Sequence, residues 1–144
     1  MLLIHLFSAI ASDILLMLTA VTSLLYLYQD HTLKYRKQVV ALPSIQAMDL
    51  WSLRLLIAAF VLMTFGILAG SRLAFEQWGD GWYLDLRQLW SIANWALFAF
   101  VLLARFLVGW RGRLAVLTTL GGVTLVLLGF FVLHYFSWSR HAEL

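Results

Sequence analysis

Residues 50–75 read LWSLRLLIAAFVLMTFGILAGSRLAF, a run in which the only charged side chains are Arg54 and Arg72. A helix that crosses a bilayer needs about 20 mostly apolar residues, so this run is long enough to span a membrane. Three further runs meet the same criterion, and they cover residues 2–28, 89–108 and 114–136. The sequence therefore predicts four transmembrane helices.

The composition of the whole chain points to the same conclusion. Of its 144 residues, 63% are hydrophobic and 12% are charged, which is too apolar for a water-soluble domain of this size. Only helices and closed barrels satisfy the backbone in lipid, and no alternating barrel pattern is present. We therefore predict an all-α bundle of four transmembrane helices, in a single membrane domain over residues 1–144.

Several classes of protein are disfavoured by the residue types present. The chain has no cysteine, which excludes disulfides, thiolate metal sites and covalent CxxCH attachment of haem. The first residues, MLLIH, contain no basic residue, and Asp13 interrupts the run that follows, so a cleaved signal peptide is not expected. The net charge of +3 comes from basic residues that flank the runs, and a topological role explains them better than nucleic-acid binding.

The distribution of lysine and arginine predicts the orientation of the bundle. The first and third connections, together with the ends of the adjoining runs, carry Lys34, Arg36, Lys37, Arg105, Arg111 and Arg113. The opposite end has Arg72, Arg87 and Arg140, set against Glu76, Asp80, Asp85 and Glu143. By the positive-inside rule, the first and third connections are cytoplasmic. Both termini and the second connection, residues 76–88, then lie outside.

This orientation brings His5, His134 and the segment WGDGWYLD, residues 78–85, to the outer face. Two histidines at one depth supply the axial imidazole ligands of a non-covalent haem. Zinc is a poorer fit, because it needs a third or fourth ligand and the nearby candidates are Asp85 and Glu76. Histidines near membrane ends are also often interfacial residues satisfied by their neighbours, and position alone leaves that alternative open.

The tryptophans also allow two interpretations. Most of those near the predicted membrane boundaries, such as Trp138, fit ordinary aromatic belts. Trp78 and Trp82, however, lie in the same outer connection as Arg87 and close to Arg72. Flat apolar rings can hold a porphyrin by stacking, and guanidinium groups can hold its propionates by charge. These residues are therefore candidates for a haem cradle.

The interior of the bundle is indicated by small and polar residues within the runs. Ser8, Ser12 and Thr19 share one face of the first run with His5, which suits the bundle interior. Gly66 and Gly70 have the GxxxG spacing that allows another helix to approach closely.

Asp13 is an acidic residue deep in the first run, about 12 Å below His5 at 1.5 Å per residue. An acid at that depth marks either function or a buried partner. A protonated carboxyl that is hydrogen-bonded to Thr64, Asn94 or Thr124 explains it equally well, and both interpretations stay open.

No motif for independent catalysis is present. The sequence lacks a P-loop, an HExxH motif and a plausible Ser/His/Asp set. It also lacks the second, inner pair of histidines that a two-haem, quinone-reducing cytochrome b requires. We therefore expect a protein that is not an enzyme.

Three segments resemble one protein family. IHLFSAIASDILL opens the first run, WGDGWYLDLR follows the GxxxG run, and HYFSW closes the last. In this order they resemble the haem-handling cytochrome c assembly superfamily, which includes CcmC, CcsA and the HemX/YpjD-like proteins. LPSIQAMDLWSLRLL and GWRGRLAVL look most like the HemX/YpjD and CcsA branches. The resemblance covers nearly the whole chain.

The resemblance implies roles for individual residues. His5 and His134 match the two external histidines that ligate haem in this family, and Arg87 matches a basic residue that commonly follows the tryptophan-rich motif. The motif itself is matched by Trp78, Gly79, Trp82 and Asp85. Gly81 and Leu84 stand where further tryptophans are usual. Family members also usually have six or more spans, whereas four are predicted here.

From these observations we predict a haem-handling membrane protein that binds a non-covalent b-type haem at the outer face for cytochrome c assembly. Its expected surroundings are membrane lipid and other membrane subunits or cytochrome c maturation proteins, in a bacterial inner membrane. The alternative is an accessory or structural subunit of a larger respiratory or photosynthetic complex, derived from this family, with or without haem.

Overall fold

The computed structural model describes residues 2–36, 41–80 and 86–141, without the side chains at positions 78 and 136–141. These residues form four long helices, and the described ranges contain no strand. The helices are α1 (Leu2–His31), α2 (Ile45–Trp78), α3 (Leu86–Leu103) and α4 (Arg113–His141). Each is long and apolar enough to cross a membrane. The all-helical, four-helix prediction is confirmed.

α2 and α4 extend beyond both ends of the apolar runs that predicted them, α1 extends beyond the end of its run, and α3 begins before its run and ends at Leu103. α2 begins at Ile45 because Ser44 caps it, and the Ser44 hydroxyl accepts a hydrogen bond from the backbone N–H of Ala47 at 3.2 Å. In the sequence, Pro43 followed by Ser44 is a signal typical of a helix start, and the structure begins α2 there. α1 and α3 each continue into a short π-helical segment, Thr32–Arg36 and Ala104–Val108.

Each helix packs against the next one in the chain, and α4 also packs against α1. The most extensive contact is between α1 and α2. Leu16, Leu56, Phe98 and Val101 are buried where the helices meet. Large apolar side chains elsewhere, such as Phe7, point outwards and are exposed, as expected for a surface that lipid covers. Val123 of α4 belongs to the same buried cluster, so all four helices contribute to it.

Small and polar residues line the contact between α1 and α2. Ser12 donates a hydrogen bond to the Ala59 carbonyl oxygen at 3.0 Å. A Cβ built on Gly66 would lie 3.6 Å from the Cβ of Ser8, so α1 crosses α2 closely at the GxxxG segment. This contact confirms that Ser8 and Ser12 belong to the bundle interior, and it brings the first turns of α1 against the last turns of α2.

The two ends of the bundle differ in their polar residues. We call the end that contains His5 the histidine end and the opposite end the arginine end. At the arginine end, Arg105 lies in the π-helical segment rather than in a solvated connection, and its side chain is only 2% exposed. It forms an ion pair with Asp49 near the start of α2. This pair joins α3 to α2.

Candidate functional site

A cavity of about 450 Å³ opens at the histidine end, and all four helices contribute to its wall. His5 comes from α1, Gly70 from α2, Trp90 from α3 and His134 from α4. The volume lies within the range of small-molecule pockets, about 300–1,000 Å³. The structure thus places the two histidines, which are far apart in the sequence, in the wall of one cavity.

His5 is held in a defined orientation. Its Nδ1 lies 2.8 Å from the carbonyl oxygen of Gly66. Because a carbonyl oxygen only accepts, Nδ1 carries the proton and donates this hydrogen bond. In the neutral imidazole, Nε2 is then the unprotonated nitrogen, which is the form that binds a metal ion. A hydrogen bond of this kind is the usual support for a metal-ligating histidine.

Gly70 makes room for the His5 ring. A Cβ built on Gly70 would lie 2.7 Å from Cε1 of His5 and 2.9 Å from Nδ1. Both distances are shorter than a carbon atom tolerates, so only glycine fits at this position without moving the ring. The GxxxG spacing therefore serves two purposes, since Gly66 accepts the hydrogen bond and Gly70 leaves space for the imidazole.

His134 lies near the end of α4 and is exposed. Its ring stacks on Phe130, one turn earlier in the same helix, with an interplanar angle of 12° and 6.4 Å between ring centroids. The two histidines therefore differ: His5 is half-buried and hydrogen-bonded across two helices, whereas His134 is supported within its own helix.

The two predicted arginines occupy different places. Arg87 lines the cavity, whereas Arg72 is not among the described residues of its wall and donates a hydrogen bond to Glu76 at 3.3 Å. Next to Arg87, the amide of Gln88 donates to the Ser71 hydroxyl at 2.7 Å. This bond ties the start of α3 to α2 and thereby fixes the beginning of the helix that carries Arg87.

The predicted tryptophan-rich segment is described only in part. Trp82 and Asp85 lie outside the described residues, and for Trp78 only the backbone, at the end of α2, is described. Among the described residues, the tryptophan that lines the cavity is Trp90. Its indole packs onto Gly129 so closely that a Cβ on this glycine would overlap the ring. Trp90 therefore depends on a glycine of α4 for its position.

We expect Gly129→Ala to displace the Trp90 indole from the cavity wall and to lower the free energy of unfolding by about 1–3 kcal/mol, a typical loss for overpacking. Thermal unfolding in mild detergent measures the change. Gly121→Ala is the matched control, because Gly121 is in the same helix and nothing lies within 4 Å of a Cβ there.

Introducing Gly129→Ala into a Trp90→Ala protein tests whether the two residues are in contact. In that variant the Gly129→Ala substitution meets no indole, so we expect most of its destabilisation to disappear, as for two residues in direct contact. An undiminished effect in the Trp90→Ala background would contradict the assigned contact.

Polar groups continue below the histidines. Asp13 and the buried Asn94 line the deeper part of the cavity. Asp13 forms no hydrogen bond or ion pair with any residue that the structure describes. Two of the predicted partners are engaged elsewhere, since Thr64 donates to the Phe60 carbonyl oxygen and Thr124 to that of Leu120. The polar lining of the cavity thus extends towards the middle of the membrane span.

Sequence reasoning missed two contacts of the site. Trp90 is one of two tryptophans in the third run, and nothing in the sequence links it to Gly129. Gly129 lies seven residues after Gly122, so it falls near the same helical face, and this spacing is the one signal of a packing role. Nothing in the sequence beyond the GxxxG pattern indicates that Gly70 leaves space for His5.

The residues of the cavity fit a haem group. The wall offers an imidazole nitrogen at His5, a second imidazole at His134, the aromatic surface of Trp90 and a guanidinium at Arg87. In the described part of the chain, no three His, Asp or Glu side chains cluster in a way that could hold a bare metal ion. Haem iron is already bound by the porphyrin and needs only axial ligands from the protein.

Comparison with known proteins identifies relatives. The chain is 36% identical over 104 residues to the cytochrome c biogenesis protein CcsA of Marchantia polymorpha. The aligned region covers 65% of this chain and 32% of that protein. The chain is 28% identical over 107 residues to the CcsA of Prochlorococcus marinus strain MIT 9303, covering 74% of this chain and 34% of the relative. The chain thus matches about a third of the length of these relatives. No solved structure matches it.

The family model described as cytochrome C assembly protein matches residues 1–140. This match includes all four helices, both cavity histidines and the connection between α2 and α3. The chain therefore belongs to the cytochrome c assembly protein family.

Proposed function

We propose that this protein holds a b-type haem non-covalently, with His5 and His134 as its axial ligands. The observation that carries the proposal is that both histidines line one cavity and that His5 donates from Nδ1 to Gly66. This hydrogen bond leaves Nε2 of His5 available for iron. The haem would supply the iron porphyrin that cytochrome c assembly requires.

The surrounding residues have distinct roles in this proposal. Arg87, in the cavity wall, pairs with a haem propionate, and Trp78 and Trp82 cover the porphyrin from the connection between α2 and α3. Asp85 belongs to the same cradle. Arg72, which pairs with Glu76, acts at the rim as a second cation for the propionates. The chain binds and orients the haem and has no catalytic role of its own.

The cellular setting follows from the family and from the charge distribution. Membership of the cytochrome c assembly family supports a role in cytochrome c biogenesis, in contact with other membrane subunits or maturation proteins. The excess of basic residues at the arginine end favours a cytoplasmic location for that end. The histidine end and both termini then lie outside. Relatives occur in plastids and cyanobacteria, so a bacterial inner membrane is one of several possible settings.

The visible spectrum of the protein, purified in mild detergent after expression with ample haem, tests the proposal. We expect a b-type reduced-minus-oxidised spectrum and a positive pyridine haemochrome assay. His5→Ala and His134→Ala each remove one axial ligand, so both should weaken and shift this signal.

His31→Ala is the matched control for the two histidine variants. His31 is exposed at the end of α1, and its ring packs against Tyr35 at the arginine end. Its substitution should leave the spectrum unchanged. Folded protein without a Soret band, or equal spectra for all three variants and the unchanged protein, would refute the two-histidine site.

A second candidate function is that of a subunit within a larger membrane complex. Asp13 favours it, since this carboxyl lines the cavity within a membrane span and has no described hydrogen-bond or ion-pair partner. An acid at that depth normally has a partner, and a neighbouring subunit that closes the cavity would supply one. Stoichiometric co-purification with redox subunits would support this function, whereas a stable solitary protein would argue against it.

A further inference from the structure

A second cavity, of about 420 Å³, lies at the arginine end of the bundle. The start of α2, the end of α3 and the connection to α4 form its wall, which contains Arg105, Arg111 and Asp49. Two of these charged residues are cationic and one is anionic. The wall also includes apolar side chains such as Leu50 and Phe106. The cavity thus combines positive charge with an apolar surface.

Arg105 is the buried cation of this cavity. Its Nη2 donates to the carboxylate of Asp49 and, at 3.3 Å, to the backbone carbonyl oxygen of the same residue. Its Nη1 is buried and has no hydrogen-bond partner among the described residues. A buried donor of a charged group that stays unpaired is energetically unfavourable. Arg105, a residue of the cavity wall, therefore has one buried N–H group that no described residue satisfies.

Arg111 is held in the wall by a turn that needs glycine on both sides. Gly109 and Gly112 have φ angles of +77° and +65°, a region that favours glycine. A Cβ on Gly112 would also lie 3.0 Å from the Tyr26 hydroxyl oxygen. The turn thus fixes Trp110 and Arg111 between two constrained positions, and both line the cavity.

We propose that this cavity binds a phosphate group, carried either by an anionic membrane lipid or by a free phosphate ion. Arginine pairs with phosphate through two parallel N–H donors, and the exposed Arg111 supplies such a pair. Arg105 contributes Nη1 from the wall, because its Nη2 is already bonded to Asp49. The ion pair with Arg105 already occupies the Asp49 carboxylate, which reduces its repulsion of an anion. Basic pockets between transmembrane helices are typical sites for lipid headgroups, and Leu50, Leu53 and Phe106 suit the adjoining glycerol and acyl carbons.

Calorimetric titration of the full chain in mild detergent tests this proposal with two probes, dihexanoyl phosphatidylglycerol and inorganic phosphate. Arg111→Gln removes the exposed cation of the cavity without touching the buried ion pair. Loss of a charge-assisted hydrogen bond weakens binding about tenfold. Arg113→Gln is the matched control, because Arg113 belongs to the same basic segment but its guanidinium lies 4.0 Å from Asp30 and is not among the described residues of the cavity wall.

We expect phosphatidylglycerol to bind to the unchanged protein. Arg111→Gln should weaken the affinity for this lipid about tenfold. Arg113→Gln should change the affinity by no more than about twofold, since surface charges are screened by salt. If inorganic phosphate shows the same dependence on Arg111, a free ion suffices; if only the lipid binds, the lipid is the source. No binding of either probe, unchanged binding by Arg111→Gln, or equal weakening by Arg113→Gln would overturn the proposal. The inference is independent of the haem site, so Arg111→Gln should keep the visible spectrum of the unchanged protein.

Discussion

Gly70→Ala is expected to weaken the proposed haem binding by about 10–100-fold, the usual effect of losing the support of a metal ligand. The added Cβ would lie 2.7 Å from Cε1 of His5, so the imidazole must move. Its hydrogen bond from Nδ1 to the Gly66 carbonyl oxygen then lengthens or breaks. His5 would thereby lose both its position and its fixed tautomer, although the ligand itself is unchanged. Haem titration of the apoprotein, followed at the Soret band, measures the effect.

Gly121→Ala controls for the general consequences of adding a methyl group to a transmembrane helix. Nothing lies within 4 Å of a Cβ at Gly121, so haem affinity and melting temperature should stay unchanged. The Gly70→Ala protein should also retain its helical circular dichroism, since the clash is with the end of one side chain. Normal haem affinity in folded Gly70→Ala protein would show that the assigned orientation of His5 is not required for binding.

The sequence allowed the fold to be predicted because membrane helices depend on local composition. Each apolar run corresponds to a helix, and the Pro43–Ser44 signal identifies the start of α2. The small-residue pattern of α1 correctly indicated its inward face. These features are all encoded within one helix or one helix end. The number of predicted spans likewise places His5 and His134 at one end of the bundle, and both line one cavity there.

Contacts between helices were beyond prediction from the sequence. Trp90 packs closely on Gly129, and His5 packs closely on Gly70. Both contacts depend on how the helices are rotated and how closely they approach, which the sequence of a single run does not encode. Arg105 shows the same limit. It was counted as a topological charge beside a connection, whereas the structure buries its side chain against Asp49. Residues 56 apart in the sequence form that pair, so neither position alone indicates it.

Asp49→Leu is expected to lower the free energy of unfolding by about 3–5 kcal/mol, the typical result of removing one partner of a buried ion pair. The Arg105 side chain is 2% exposed and the Asp49 side chain 19% exposed. Without the carboxylate, the guanidinium keeps only the backbone carbonyl oxygen of residue 49 and remains a buried charge. Titration with a denaturing detergent, followed by circular dichroism, measures the change.

The exposed pair of Arg72 and Glu76 supplies the matched control. Their side chains are 67% and 55% exposed, and surface ion pairs contribute about 0–1 kcal/mol, so Glu76→Leu should change stability by no more than that. A double variant, Asp49→Leu with Arg105→Met, tests the ion pair further. Because a buried pair exchanged for apolar residues of similar size is often neutral, the double variant should recover most of the lost stability. If the double variant is less stable than Asp49→Leu alone, Arg105 stabilises the bundle through other contacts, and the ion pair is not the interaction that fixes α3 to α2.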